Sequence, residues 1–530
     1  MKKTISALLA ALLVLGCFAG CAQDDKPYVP TGNGLTWDDP EVDATQAPLP
    51  DQQLTLVYYP QESFNPYLCT DYTNRALFGL IYQGLFATDT NYQSHPILCE
   101  RYHVTDDLKT YTIYIHDDIT FSDGSYLTIQ DVFASLQYAM ESSYYKGRFT
   151  RVKEMYLTWD GGITFRLETS YENFPLLLDV PIVKASEVSL ERPLGTGPYR
   201  LDTATQGLRL LRTNNWWCRS SDLAATAAAI ALRPAESPTQ VRDNFEFSDV
   251  GLVCANPGSD RYVDFRCDYE LWDCESGVYL YLCCNMFSEV FSNASVRSAL
   301  TYAIDRDKIV SEFYRGFAHA ATLPASPLSP YYDHGLAKRY QFDATKFVDA
   351  VNAAGLKNAE IKLLVNSEDS LRLRVARSIV AMLRECGLQV TLMQRKGNEY
   401  LYALNVGNYD LYLGTTKLSP NMDLTSFFAP RGNLRKGGIS DAGIYTMCMD
   451  ALENSGNYYN LHETVAADGR LTSILFSSYA VYATRGLLTN LAPSRDNVFF
   501  YTIGNTMSHA QMEDAPPPPP PTTTGETIPN

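Results

Sequence analysis

The chain lacks the short motifs that mark most catalytic sites. It has no HExxH, no Gly-x-Ser-x-Gly, no Walker sequence and no glycine fingerprint for dinucleotides. Its seven histidines (His95, His103, His116, His319, His334, His462 and His509) are scattered without metal-ligand spacing. Acidic pairs such as Asp106-Asp107 and Asp117-Asp118 fall near predicted turns, where solvation rather than glycoside chemistry accounts for them. Basic charge is scarce: 43 Lys and Arg stand against 60 Asp and Glu, a net −17. That argues against a nucleic-acid face and against broad adhesion to an anionic membrane, and it favours solubility outside the cell. There is no CxxC among the twelve cysteines, and their spacing gives no disulfide framework. Cys283 and Cys284 sit in an apolar run and Cys386 at a predicted helix end, as small buried apolar residues do. Cys267 and Cys274 are the pair to test for a bridge. No internal repeat is evident.

The amino terminus carries an address. Lys2 and Lys3 precede an apolar run, Ile5–Leu15, which reads as an export signal and is too short to span a bilayer with ease. A cysteine closes the run, in VLGC (Cys17) or FAGC (Cys21), and both look like lipoboxes. Cys21 is favoured because Ala19 and Gly20 are small and a polar tether starts directly after it; Cys17 stays open. Residues 22–52, rich in Asp, Pro, Gly, Gln and Thr, read as a flexible tether. The six prolines Pro516–Pro521 read as a solvated polyproline spacer. The remaining roughly 460 residues are too many for one core and enough for two or three lobes.

Patterned stretches fill that body. Gly277–Pro324 reads GVYLYLCCNMFSEVFSNASVRSALTYAIDRDKIVSEFYRGFAHAATLP. Val278–Cys284, wholly apolar and aromatic, predicts a strand covered on both faces. Ser295 is placed to cap a long helix in which Val296, Leu300, Ala303, Ile304, Val310 and Phe313 recur at helical spacing, with Gly316 as terminator. In Pro96–Met140, Tyr111, Ile113 and Ile115 alternate with Thr112, Tyr114 and His116 as a half-buried strand does. Asp123-Gly124 predicts a tight turn, and Thr128 a helix start with Asp131 favouring the helix dipole. Arg75–Phe86 predicts one helix. Ile361–Val365, Leu371–Cys386 and Leu388–Met393 predict a parallel β–α–β unit, followed by a helix at Glu399–Val406 and a strand at Tyr409–Leu413. Leu194–Tyr199 holds a Gly-x-Gly, but Pro198 and the strand-like residues after it offer no helix N-terminus to a phosphate, so the turn reads as structural.

The order of residue types is more specific than the periodicity. Gly277–Pro324 resembles the "N…VRxAlxyAiDRxxIv…G" signature of the family 5 solute-binding proteins, the dipeptide, oligopeptide and nickel receptors of ABC importers. Pro96–Met140 resembles that family's "P.LAesw…f.dG.pltA.DV", Leu194–Tyr199 its "lGTGPY" and Tyr409–Leu413 its "yDl.l". The resemblance implies an α/β, bilobal periplasmic-binding-protein-like fold (type II/cluster C) with a small α+β accessory domain in the first lobe. The parts would be a signal peptide at 1–21, a tether at 22–52, a first lobe at 53–86, 190–276 and 485–510, an accessory domain at 87–189, a second lobe at 277–484 and a tail at 511–530. It implies a receptor rather than an enzyme, without cofactor or metal, monomeric and outside the cytoplasm. The partners implied are a peptide-like solute, an ABC permease with its ATPase, and the membrane through the lipid.

Ligand contacts are then expected from three places. The SFNPY turn supplies Asn65 and Tyr67. Near Val365–Ser367, where dipeptide receptors hold a ligand carboxylate with a basic residue, this chain has Asn366 and Ser367. The loop after YDLYL supplies Thr415, Thr416, Lys417, Ser419 and Asp423. Dipeptide and oligopeptide receptors carry there a Trp and then an Asp that grips the ligand's α-amino group. Here Leu418 or Ser419 replaces that Asp, unless a shifted loop gives the role to Asp423. Both charge anchors of a short free peptide are absent on this reading, so backbone pairing and neutral polar groups are expected to hold the ligand, with Lys417 available to an anion. A sensory or adhesive lipoprotein on the same fold, a receptor for a sugar or metal chelate, and a surface hydrolase are the rival readings.

Overall fold

A computed structural model describes residues 54–204, 207–213, 216–218, 227, 229–248, 250–259, 262–485 and 493–499. The candidate lipidation cysteines Cys17 and Cys21, the tether and the tail lie outside these residues. The frame is one 11-stranded sheet. From one edge it runs Gln389–Arg395, Glu360–Asn366, Leu411–Lys417, Glu270–Cys284, Leu471–Ala483, Leu252–Ala255, Thr55–Tyr58, Ala229–Pro234, Gly207–Arg212 and Tyr199–Ala204, with Ala318–Ala320 added alongside Leu471–Ala483. The central strands Glu270–Cys284 and Leu471–Ala483 lie antiparallel and join the strands on one side of the sheet to those on the other.

The apolar run Val278–Cys284 has a direct physical cause. Successive side chains of a strand point to opposite faces. Leu280, Leu282 and Cys284 enter a core with Ile379, Leu363 and Leu300, while Tyr279, Tyr281 and Cys283 enter another with Phe427, Tyr412 and Phe476. Neither face meets water, so no polar residue interrupts the run. The strand begins earlier than this run because Glu270–Glu275 pairs with Ser478–Ala483 inside the first lobe.

The helix expected after it is broken, and its start is capped by Asn293 rather than Ser295. Asn293 Oδ1 accepts from the amides of Ser295 and Val296, and the α-helix covers only Ala294–Ala299. The next turn, Leu300–Ala303, tightens to 3-10, and Asp305 caps a second helix, Arg306–Tyr314. The break turns Arg306 inward, where it donates to the carbonyls of Thr301, Ile304, Ala321 and Ser473. Arg75–Phe86 is likewise two single turns, Tyr72–Arg75 and Phe78–Ile81, before a strand at Phe86–Thr88. The β–α–β unit forms as Glu360–Asn366, Ser370–Glu385 and Gln389–Arg395, with its strands parallel.

Beside the first lobe stands a four-stranded antiparallel sheet of Cys99–Val104, Thr110–Ile115, Ile163–Leu167 and Val152–Leu157, packed with the helix Ile129–Glu141. Asp131 does more there than favour a dipole. One oxygen receives the Thr128 amide at 2.9 Å and the other the Ala185 amide at 2.8 Å, tying the helix start to a distant loop. Cys267 and Cys274 form no disulfide, and Cys274 gives its thiol proton to the Ser494 carbonyl rather than bridging to Cys267.

The Gly-x-Gly of Leu194–Tyr199 is a close backbone approach. A Cβ on Gly195 would stand 2.1 Å from the Ile81 carbonyl oxygen, and one on Gly197 2.5 Å from the Ile81 carbonyl carbon. Gly195→Ala therefore forces the Ile81 turn away and is expected to cost about 1–3 kcal/mol, seen as a lowered midpoint in chemical denaturation. An unchanged midpoint would show that the turn gives way freely.

Candidate functional site

The two crossing strands lose register where they leave the first lobe. Glu275 faces Ser478 but Tyr279 faces Phe476, so Ser276, Gly277 and Val278 bulge against Ser477. Gly277 takes φ +68, and the place of its missing Cβ is filled by the Arg495 guanidinium, with Nη2 2.0 Å from that position. Arg495 passes over the bulge to donate to the Leu418 carbonyl. Leu418 in turn gives its amide to Gly277 O at 3.1 Å, and Asp496 gives its amide to Glu275 O at 3.1 Å. The Glu275 side chain is fixed from both sides by the Tyr92 hydroxyl and the Ser326 hydroxyl, each at 2.6 Å.

Lys417, the last residue of its strand, ends in the middle of this junction. Its Nζ donates to the Ser276 carbonyl at 2.8 Å and to the Tyr144 hydroxyl at 2.8 Å, and lies 2.5 Å from Asp496 Oδ2. It also stands 4.3 Å from the centre of the Tyr144 ring. Burial pushes the Lys417 ammonium down to about 8, with the Asp496 charge opposing that fall. Burial acts to raise Asp496, but the Lys417 and Arg495 charges outweigh it and hold the carboxyl below its ordinary value.

Two neighbouring spaces share Tyr144, Arg148 and Arg495 in their linings. The larger, about 980 Å³ with its mouth, lies against the first lobe and is lined also by Arg75, Asp179, Trp216 and Asn497. The smaller, about 660 Å³, faces the second lobe through Thr416, Lys417, Ser419, Asp423 and Asn433. Arg75 donates to the carbonyls of Pro66 and Cys69 and to the Tyr145 hydroxyl, and stacks on Tyr144 at 3.4 Å. Arg148 is paired with Asp179. Arg495 is only 5 % exposed, and its Nε and Nη1 meet no hydrogen-bond partner. The larger space thus has three guanidinium groups and two carboxylates, and the smaller has three cations and one carboxylate. A guanidinium stays charged at any ordinary pH, so the cleft offers unspent donors and excess positive charge to an occupant.

Of the residues singled out from sequence, Thr416, Lys417, Ser419 and Asp423 line the smaller space together. Asp423 also accepts the Thr425 amide at 2.7 Å, and Ser419 donates to Asn421 at 2.6 Å. Thr415 pairs with Leu280 in the strand interior. Asn366 accepts the Glu368 amide at 3.1 Å, and Ser367 donates to the Arg395 carbonyl at 3.2 Å, on the second lobe and away from both spaces. Asn65 is wholly buried and spends its amide on the Val188 and Leu190 carbonyls, both at 2.8 Å. Tyr67 donates to the carbonyl of Pro181, which lines the larger space. Arg75, Arg148 and Arg495 were not singled out. Arg148 follows the aromatic pair in Tyr144-Tyr145-Lys146-Gly147-Arg148, whereas Arg495, between Ser494 and Asp496, carries no such signal.

Residues 93–435 match the profile described as bacterial extracellular solute-binding proteins, family 5, middle region. The glutathione-binding protein of Escherichia coli is 26 % identical over an alignment of 349 residues, with 62 % of this chain and 67 % of that protein covered. In fold, the chain is similar to the ABC transporter substrate-binding protein CtaP of Listeria monocytogenes, with TM-score 0.67, 18 % identity, and 85 % of this chain and 98 % of that one covered. It is also similar to NikA of Brucella suis in complex with Fe(III)-EDTA, with TM-score 0.67, 16 % identity, and coverage of 84 % and 99 %. The two lobes joined by paired crossing strands and the matched stretch agree: the chain belongs to the family 5 bacterial extracellular solute-binding proteins, the substrate-binding receptors of ABC importers.

Proposed function

We propose that this receptor captures a small peptide-like solute carrying at least one carboxylate and delivers it to an ABC permease with its ATPase. One observation carries the reading: Arg495 is buried where the two spaces of the cleft meet, with two guanidinium nitrogens unpartnered. A buried donor left unmet is costly, and a charge-assisted bond to a carboxylate is the strongest available way of meeting it. Glutathione, named for the E. coli relative, is a tripeptide with two carboxylates and fits the same chemistry. The reading replaces the neutral, uncharged hold expected from sequence with an ionic one. The anchors, however, come from Arg75, Arg148 and Arg495, not from the Asn366–Ser367 position.

On this reading Thr416, Lys417, Ser419 and Asp423 contribute second-lobe contacts. Thr415 stays in the strand and Asn366 and Ser367 lie away from the cleft, while Asn65 and Tyr67 support the opposite wall. The lobes hinge at Ser276–Val278 and Ser477. Lys417 acts as the clasp, since its partners come from the accessory sheet's side, the returning chain and the hinge itself. The chain is exported, tethered through Cys21 or Cys17, and works as a monomer.

Three outcomes test this. In titration calorimetry, glutathione or another acidic tripeptide is expected to bind, and Arg495→Gln to weaken it at least tenfold, about 1.4 kcal/mol. Binding of a neutral sugar with no response to anionic peptides would end the reading. Affinity for the acidic peptide is expected to fall between pH 7 and pH 9, because Lys417, poised at about 8, is cationic below that value and neutral above it. Lys417→Met strands the Asp496 carboxylate in a buried site and is expected to cost about 3–5 kcal/mol in denaturation. Adding Asp496→Asn should recover part of the loss, and equal midpoints for the single variant and the parent protein would remove the clasp.

A further inference from the structure

A second cavity, of about 880 Å³, shares no lining residue with either cleft space. Five aromatic rings line it, from Tyr59, Tyr72, Tyr262, Phe265 and Tyr479, together with the Asp71 carboxylate. No lysine, arginine or histidine lines it among the described residues. Its polarity is therefore the reverse of the cleft's. The dividing wall is a ring pair: Tyr72 stacks on Tyr479 with centroids 3.4 Å apart and planes 12° from parallel. Tyr479 also feels the charges of Arg75 and Asp496, which line the larger cleft space.

Other observations sharpen the charge. Asp71 is held in place because its Oδ1 accepts the Thr73 amide at 2.8 Å and the Asn74 amide at 3.3 Å. Glu62 lies near enough for its carboxyl to be raised, first by burial and then by the Asp71 charge. Tyr262 already takes a cation on its ring, from Arg315 at 4.6 Å, a side chain that is not among those lining the cavity. Aromatic faces carry negative quadrupole charge, and a ring of them beside a carboxylate is the arrangement that holds an organic cation. The rim reaches the second lobe, since Arg374 donates to the carbonyl of Gly258, between Asn256 and Ser259 of the lining.

We propose that this cavity is a second binding site, for a small organic ammonium ion bearing an apolar or aromatic group, separate from the carboxylate-binding cleft. The ammonium lies against Asp71, and the apolar part lies among Tyr59, Tyr262 and Phe265. The proposal stands on the cavity's own lining and does not require the cleft to bind an anion.

Titration of the full mature chain with phenethylammonium tests it, with phenylacetate as the partner of the same shape and opposite charge. Saturable binding of phenethylammonium, and none of phenylacetate that it displaces, is expected. Asp71→Asn keeps a good helix cap while removing the charge, and is expected to weaken the amine at least tenfold. Tyr262→Leu, which leaves the cap untouched, is expected to weaken it severalfold and carries the test if Asp71→Asn lowers the melting temperature. Absence of saturable amine binding overturns the proposal. So does amine binding that survives both variants unchanged.

Discussion

The junction of the crossing strands depends on one buried ammonium. Lys417 ends a second-lobe strand, touches the hinge at Ser276, lies on the Tyr144 ring and pairs with Asp496 of the returning chain. A lone buried ammonium is expensive, and removing its partner leaves the reverse problem. The partners must therefore stay assembled, and each belongs to a different segment of the chain. Gly277 is part of the same constraint, because only a residue without a Cβ leaves room for Arg495 to cross the bulge and reach Leu418. The geometry of the hinge and the charge of the cleft are thus one arrangement.

That arrangement gives the cleft its chemical character. In a low-dielectric space a charge acts more strongly than in water. The carboxylates of Asp179 and Asp496 are each committed to a cation, and Arg495 still has donors to spend. The contrast across the Tyr72–Tyr479 stack is equally physical: guanidinium groups on one side, and rings with a carboxylate on the other. A protein with net charge −17 that gathers cations inside has concentrated them against its overall bias, and the cleft is where that has happened.

The architecture was legible in the sequence because burial on both faces writes itself as an unbroken run, as at Val278–Cys284. The β–α–β unit after Glu360 was legible from strand and helix periods and from Gly387. The long helix was misread for a definite reason. Val296 to Phe313 keeps a helical period across a break, and Asp305 and Arg306 look like surface charges, although Arg306 is buried among four carbonyls. The site was only half legible. Thr416 and Lys417 end one strand and Ser419 and Asp423 follow in the loop after it, so a single stretch of sequence brings them to notice together. Arg75, Arg148 and Arg495 lie up to several hundred residues apart and meet only through the topology, so no spacing rule joins them. Asn65 drew notice for its place in a turn, but its donors are spent on the backbone.

The most direct test of the central claim is native mass spectrometry of the tether-trimmed protein purified from cells, followed by acid release of whatever it carries. The account predicts a bound small molecule that bears at least one carboxylate and is depleted in Arg495→Gln. A neutral carbohydrate bound equally by parent and variant would contradict it.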